Sequence, residues 1–187
     1  MIEKIYSCEV LSPFTSNHVE ENGTKVDIDK RYYIDEVLNP EMIVNIKVDD
    51  YYNSLRMKQT PASVDNLIVI PRGQNLISIY VIELKNVSDM NYLKPASINN
   101  KFKNTLGDFI SERFKHHFSE ASDNLADLNL LLVCNQFDIL GQSNVSDEDY
   151  RNKFQGPITE SILTMRPFRC LGRVASIQPI FNEYVIR

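Results

Sequence analysis

Short apolar runs in the first half of the chain predict β-strands. Residues 66–70 form a short β-branched run, and the Pro-Arg-Gly sequence directly after them indicates a turn. Residues 75–87 give the strongest strand pattern in the chain. Two strands joined by a short Pro/Gly turn predict an antiparallel hairpin. The preceding tract stays ambiguous, because residues 43–48 alternate as in a strand while residues 39–58 have partly helical spacing.

The second half of the chain predicts a helix followed by a buried strand. Apolar side chains recur at spacings of three and four over residues 105–118, which indicates an amphipathic helix. Residues 128–135 are a continuous apolar run, typical of a strand that is covered on both faces. Residues 176–187 predict a further strand, in which Pro179 indicates an edge position or a bulge. This order of elements predicts an α/β fold with a mixed sheet.

Length and composition limit the class of protein. A chain of 187 residues suits one domain, and we expect residues 1–187 to form it. A hydrophobic fraction of 43% with 24% charged residues excludes disorder as a global description. Cys8, Cys134 and Cys170 form no CxxC pair, which argues against a disulfide framework and a cysteine zinc site. Neither a signal-peptide pattern nor a transmembrane stretch is found, so we expect a cytoplasmic protein.

Charge is unevenly distributed along the chain. The net charge of −5 argues against a protein that coats nucleic acid over its whole surface. Residues 84–107 nevertheless carry four lysines and one acid, and residues 161–182 carry three arginines and no acid. These two stretches either reflect ordinary variation of surface charge or meet in space to line one groove. The expected contacts to DNA phosphates are Lys101, Lys103, Arg166, Arg169 and Arg173.

One group of charged residues stands out against its apolar surroundings. Glu83 and Lys85 continue the apolar face of the second hairpin strand, whereas Leu84 points to the opposite face. Asp65 opens the first strand, so hairpin pairing brings it beside the pair. Two carboxylates with a lysine provide hard oxygen ligands for Mg²⁺ and a cation to handle a water molecule. The alternative is a solvated Glu-x-Lys pair at an exposed strand end.

These residues resemble a known nuclease motif. The segment Pro61–Asp65, a gap of 17 residues and then Glu83-Leu84-Lys85 on a strand are similar to the PD-(D/E)xK nuclease superfamily, the restriction-endonuclease-like fold. The proline lies four residues before the aspartate here instead of next to it. The resemblance covers residues 43–135. It implies a mixed four-stranded sheet flanked by helices and metal-dependent hydrolysis of phosphodiester bonds.

The resemblance also implies a role for each matching residue. Asp65 and Glu83 would ligate Mg²⁺ or Mn²⁺, and the backbone carbonyl of Leu84 would be a further ligand. Lys85 would orient or help deprotonate the attacking water. Many members add an acid from an N-terminal helix, and a Gln or Lys on the helix after the motif. The expected residues for these two positions are Glu36 or Glu41 and Lys101 or Lys103, respectively.

The expected function is therefore a Mg²⁺-dependent DNA endonuclease of the restriction or phage-defence type. Because one site cuts one strand, cleavage of both strands requires a homodimer or two successive binding events. The alternative is a nuclease-fold subunit that binds DNA or a protein without cutting. A third possibility is a subunit that depends on a companion protein for DNA recognition.

Overall fold

The computed structural model describes residues 1–73, 75–87, 92–119, 121–134, 156–181 and 183–187. The strands are β1 (Val19–Glu21), β2 (Thr24–Ile28), β3 (Tyr33–Ile34), β4 (Val37–Leu38), β5 (Val44–Lys47), β6 (Asn66–Arg72), β7 (Leu76–Leu84), β8 (Leu125–Val133), β9 (Phe168–Cys170), β10 (Arg173–Ala175), β11 (Ile177–Ile180) and β12 (Val185–Ile186). The α-helices are α1 (Ile2–Tyr6), α2 (Val48–Ser54), α3 (Pro95–Asn104), α4 (Lys115–Phe118), α5 (Ala121–Asn124) and α6 (Pro157–Leu163). In the described residues, 3₁₀ turns cover Ser12–Phe14 and Lys30–Tyr32, and a π-helix covers Thr105–Arg113.

A central mixed sheet organises the fold. Its strand order is β11-β8-β7-β6-β5, with antiparallel pairing across β5, β6 and β7 and parallel pairing across β7, β8 and β11. The predicted α/β class with a mixed sheet is confirmed, although the sheet has five strands where the resemblance implies four. Pro179 lies in β11, an edge strand that pairs only with β8 in this sheet. The missing N–H of Pro179 therefore costs no hydrogen bond to a strand on the other side.

The two faces of this sheet are covered differently. One face packs against the α-helices and the π-helix through a large apolar cluster that includes Phe102 and Phe109. The other face packs against the small sheet of β1, β2 and β12 through a second cluster that includes Val26 and Tyr80. Because β7 and β8 are covered on both faces, their side chains are almost wholly buried over 79–84 and 130–133.

Sequence patterns and elements differ mainly at their boundaries. The ambiguous tract contains both predicted elements, since β5 ends at Lys47 and α2 begins at Val48. The predicted helix over 105–118 begins earlier, as α3, and continues as the π-helix and α4. The hydroxyl of Ser111 donates to the Leu106 carbonyl at 2.6 Å, five residues earlier, as the wider π-helical turn permits. Residue 135 of the predicted buried strand lies outside the described residues.

Among the described residues, no helix combines the length and the apolar character needed to cross a membrane.

Candidate functional site

The hairpin of β6 and β7 brings two acids together at one end of the sheet. Its register pairs Asn66 with Ile82, which places Asp65 opposite Glu83. Asp65 Oδ2 accepts a hydrogen bond of 2.5 Å from the Leu84 backbone N–H. The predicted juxtaposition of Asp65 and Glu83 is thus confirmed, and the Leu84 side chain is buried on the opposite face as predicted.

Two lysines neutralise Glu83, whose side chain is 0% exposed. Lys85 Nζ lies 2.5 Å and Lys101 Nζ 2.7 Å from Glu83 Oε1. Lys101, on α3, also lies 3.7 Å from Asp65 Oδ1. Burial alone would lower the pKa of Lys101, but attraction to these two carboxylates outweighs it and raises the pKa. The ammonium group of Lys101 therefore faces the acids, and its expected contact with DNA phosphate stays a prediction.

A further acid comes from the start of α2. Asp49 lies in the first turn of this helix, and the N–H of the preceding Val48 donates to the Asp65 carbonyl at 3.1 Å. This hydrogen bond fixes the first turn of α2 beside Asp65. As a result, one carboxylate oxygen each from Asp49, Asp65 and Glu21 lies within 4.8 Å of the other two.

Glu21 reaches the same place from a hairpin. It ends β1, and the next two residues, Asn22 and Gly23, both have positive φ (49° and 80°) in a two-residue turn that leads into β2. Asparagine and glycine are the residues that such a turn favours. The Asn86 side chain, one residue after Lys85, donates to the Asn22 carbonyl at 2.6 Å. The tip of the β1–β2 hairpin is thereby fixed beside the acids.

The expectation of Glu36 or Glu41 as the extra acid is wrong for the described structure. Both are exposed, and neither belongs to the carboxylate group. Glu36 lies in the turn between β3 and β4 with a positive φ of 65°. The first helix after the N-terminal strands begins only at Val48, so its acid is Asp49. The Asn-Gly dipeptide and the Asp-Asp pair after residues 43–48 were the sequence signals for Glu21 and Asp49.

Three acids at this end of the sheet have raised pKa values: Glu21, Asp49 and Glu83. Burial, a hydrogen bond with Asp65 and repulsion from Asp65 and Asp49 raise the pKa of Glu21 to about 7. Burial and repulsion from Asp65 also raise the pKa of Asp49. Burial and Asp65 raise the pKa of Glu83 to about 6, against the opposing effect of Lys85 and Lys101. A concentration of perturbed carboxylates in one place is typical of functional sites.

The donor set fits a hard divalent cation. Asp49 Oδ1 and Glu83 Oε2 are buried and have no hydrogen-bond partner among the described residues. Mg²⁺ binds oxygen at about 2.0–2.1 Å, so opposite ligands lie about 4.2 Å apart. The carboxylate oxygens of Glu21, Asp49 and Asp65 lie within 4.8 Å of one another. A small decrease in these oxygen–oxygen distances would bring them to that geometry.

The remaining predicted basic residues lie outside this acid cluster. Arg173 donates from Nε and Nη2 to the Leu125 carbonyl at 2.9 and 2.5 Å, and its expected phosphate contact stays a prediction. Leu125 begins β8, whereas Leu132 pairs with Glu83, so about 23 Å of strand separates the two positions. The other basic residues expected to contact DNA phosphates are exposed: Lys103, Arg166 and Arg169.

Fold and site together define a mixed α/β protein with a buried acidic centre at one end of its sheet. Comparison with protein-family models, curated proteins and solved structures found no match to this chain.

Proposed function

We propose that this protein is a divalent-metal-dependent nuclease that hydrolyses phosphodiester bonds in DNA. The restriction-endonuclease-like, PD-(D/E)xK class is the proposed family, and restriction or phage defence is the proposed role. The observation that carries the proposal is the convergence of Asp65, Glu83 and Lys85 at one sheet end, with Lys101 on the neighbouring helix. A buried carboxylate that faces a second acid is costly for the fold, which favours a functional reason for the arrangement.

The acids would hold the metal. Asp65 and Glu83 are the central ligands, with the Leu84 carbonyl beside them. Asp49 and Glu21 take the place of the extra acid expected from the resemblance. Bound Mg²⁺ or Mn²⁺ would lower the pKa of a water molecule and offset the charge that develops on the phosphate.

The lysines would handle the proton and the charge. Lys85 is 32% exposed and lies against Glu83, so its ammonium group can reach a water molecule or a phosphate oxygen from the solvent side. It would orient the attacking water and stabilise the negative charge of the transition state. Lys101 is less exposed, and it keeps Glu83 ionised and fixed in place.

The alternative is a nuclease-fold subunit that binds DNA or a protein without cutting. One contact favours it: the Lys101 ammonium lies near both Asp65 and Glu83, so it compensates these carboxylates without a metal. The two functions differ in divalent-metal binding. A nuclease needs the acids to bind Mg²⁺ or Mn²⁺ in competition with Lys101, whereas a binding subunit does not.

A cleavage assay tests the proposal. Supercoiled plasmid is incubated with Mg²⁺, Mn²⁺ or EDTA and either wild type, Lys85→Ala or the control Lys30→Gln. Lys30 is exposed beside Tyr32, whose hydroxyl accepts from Arg72 at the far end of β6. We expect metal-dependent nicking or linearisation that the control retains and Lys85→Ala loses.

Intact metal-dependent cleavage by Lys85→Ala would refute the assigned chemistry. Linear product would indicate a homodimer or successive cuts, and nicked circles would indicate a monomer that cuts one strand. Absence of cleavage by wild type, on plasmid and phage DNA alike, would favour the binding subunit. Absence of tight DNA binding at low salt as well would favour dependence on a companion protein.

A further inference from the structure

A small pocket opens on the side of Lys85 that faces α3. It has a volume of about 150 Å³, and its lining includes Lys85, Tyr92, Lys94 and Ser97. Lys94 immediately precedes the first residue of α3, and Lys85 also contacts Glu83. The pocket therefore adjoins the acidic centre through a shared lysine.

The charges of the pocket favour an anion. Its lining includes two lysines and, among the described residues, no acidic residue. Lys94 is exposed and makes no ion pair within the described part of the chain. Lys85 is paired with Glu83, so Lys94 supplies the uncompensated positive charge that attracts a phosphate to this pocket, in a protein with a net charge of −5. The volume corresponds to about five water molecules, which suits a phosphate and is below the size of pockets that enclose drug-sized ligands.

The ring of Tyr92 stands beside this pocket with an exposed fraction of 71%. This is the highest exposed fraction among the large hydrophobic side chains of the described residues. A ring so exposed contributes little to the core, yet it offers a flat apolar face. Stacking of nucleic-acid bases on such aromatic faces is a common mode of single-strand binding.

We propose that this pocket is a nucleotide subsite for a single-stranded segment of the nucleic-acid substrate. Lys85 and Lys94 hold one backbone phosphate, and an adjacent unpaired base stacks on Tyr92. The nucleic-acid class of the ligand rests on the proposed function. In a paired duplex the faces of the bases are covered by their neighbours, so the Tyr92 face requires an unpaired or frayed base.

Binding measured without cleavage tests the subsite. Fluorescence anisotropy in EDTA follows a labelled thymidine oligonucleotide and, separately, a blunt duplex. We expect Tyr92→Ala to weaken single-strand binding about tenfold and Tyr92→Phe to retain it, because phenylalanine keeps the stacking face. Lys94→Gln should reduce the slope of log K against log salt by about 0.7 for the single strand. Lys30→Gln is the matched surface control, and duplex binding should not depend on Tyr92.

The proposal would be overturned if Tyr92→Ala bound the single strand as tightly as wild type. It would also be overturned if Tyr92→Phe lost as much affinity as Tyr92→Ala, or if Tyr92→Ala lost as much affinity for the duplex as for the single strand. Failure of wild type to bind the oligonucleotide at low salt would also overturn it. The subsite and the nuclease activity can fail separately. Tyr92-dependent binding without plasmid cleavage would support the subsite and reject the nuclease. Metal-dependent cleavage, together with single-strand binding that does not depend on Tyr92, would support the nuclease and reject the subsite.

Discussion

Replacement of Asp65 by asparagine separates metal binding from folding. The asparagine carbonyl oxygen can still accept the Leu84 N–H, so the local geometry is kept. The negative charge that faces Glu21, Asp49 and Lys101 is lost. We expect Asp65→Asn to fold with nearly wild-type stability in EDTA and to lose stabilisation by divalent metal.

The opposing contributions to stability from Glu21, Asp49, Lys101 and Leu84 nearly cancel. Glu83 also repels Asp65, but Lys85 at 2.5 Å balances its charge, so Glu83 is left out of the sum. At the upper limit of 4.8 Å, an ionised Glu21 or Asp49 repels the Asp65 carboxylate by about 3.5 kcal/mol each at an effective dielectric constant of 20. Glu21 has a pKa of about 7 and reaches solvent, so at neutral pH the relief falls to about 5 kcal/mol. Loss of attraction to Lys101 at 3.7 Å costs about 4.5 kcal/mol. The weaker hydrogen bond from Leu84 costs about 1 kcal/mol more.

Thermal and urea unfolding in EDTA, Mg²⁺ and Mn²⁺ measure both quantities. In EDTA the free energy of unfolding of Asp65→Asn should lie within about 2 kcal/mol of wild type. Metal at about one hundred times its dissociation constant should stabilise wild type by about 2.7 kcal/mol. For a chain of 187 residues, that corresponds to a rise in Tm of about 5–10 °C.

The control is Asp127→Asn, which removes a carboxylate that accepts from Ser78 toward the other end of β8. This variant should keep the metal-induced rise in Tm. If Asp65→Asn were stabilised by Mn²⁺ as strongly as wild type, Asp65 would not be a ligand. If Asp65→Asn lost several kcal/mol in EDTA, relief of the repulsion from Glu21 and Asp49 would not offset the lost attraction to Lys101.

Three further predictions concern the surroundings of the acids. In EDTA, the free energy of unfolding should fall as pH rises from about 4.5 to about 7. The pKa values of Glu83 (about 6) and Glu21 (about 7) exceed the ordinary 4.5, so the folded state binds more protons than the unfolded state. A free energy of unfolding that rises over this pH range in urea denaturation would contradict the prediction. The Thr105 hydroxyl accepts a hydrogen bond from the Val64 N–H at 3.1 Å, next to Asp65. Thr105→Val should therefore weaken Mn²⁺ binding severalfold in calorimetry, whereas Thr105→Ser should retain it. Equal Mn²⁺ affinities of the two variants would exclude this positioning role. Lys101→Met should tighten Mn²⁺ binding by removing a competing cation, and unchanged affinity would show that the ammonium does not compete.

The central hairpin of the site is predictable from local patterns. A turn between two β-branched runs fixes the pairing, and the period-two alternation then places Asp65 opposite Glu83. The burial of β8 follows from its continuous apolar run, and the edge position of β11 is one of the two possibilities that Pro179 indicates. These inferences needed only neighbouring residues.

The additional acids depend on packing between distant segments. Glu21 reaches the site because its hairpin tip is held by Asn86, 64 residues further along the chain. Asp49 reaches it because the Val48 N–H contacts the Asp65 carbonyl. Spacing from the motif carries no information on such contacts, so the expected extra acid stayed open between Glu36 and Glu41. The Arg173 contact with Leu125 is equally remote in sequence.

The most direct test of the metal centre is the position of Mn²⁺ in a crystal, located by its anomalous scattering. We predict one peak in contact with carboxylate oxygens of Asp65 and Glu83, with Asp49 or Glu21 as a further ligand and the Lys101 ammonium displaced from the metal position. Absence of a peak there at a Mn²⁺ concentration that supports cleavage would contradict the account. A Mn²⁺ peak at another position, with Lys101 still paired to Glu83, would also contradict it.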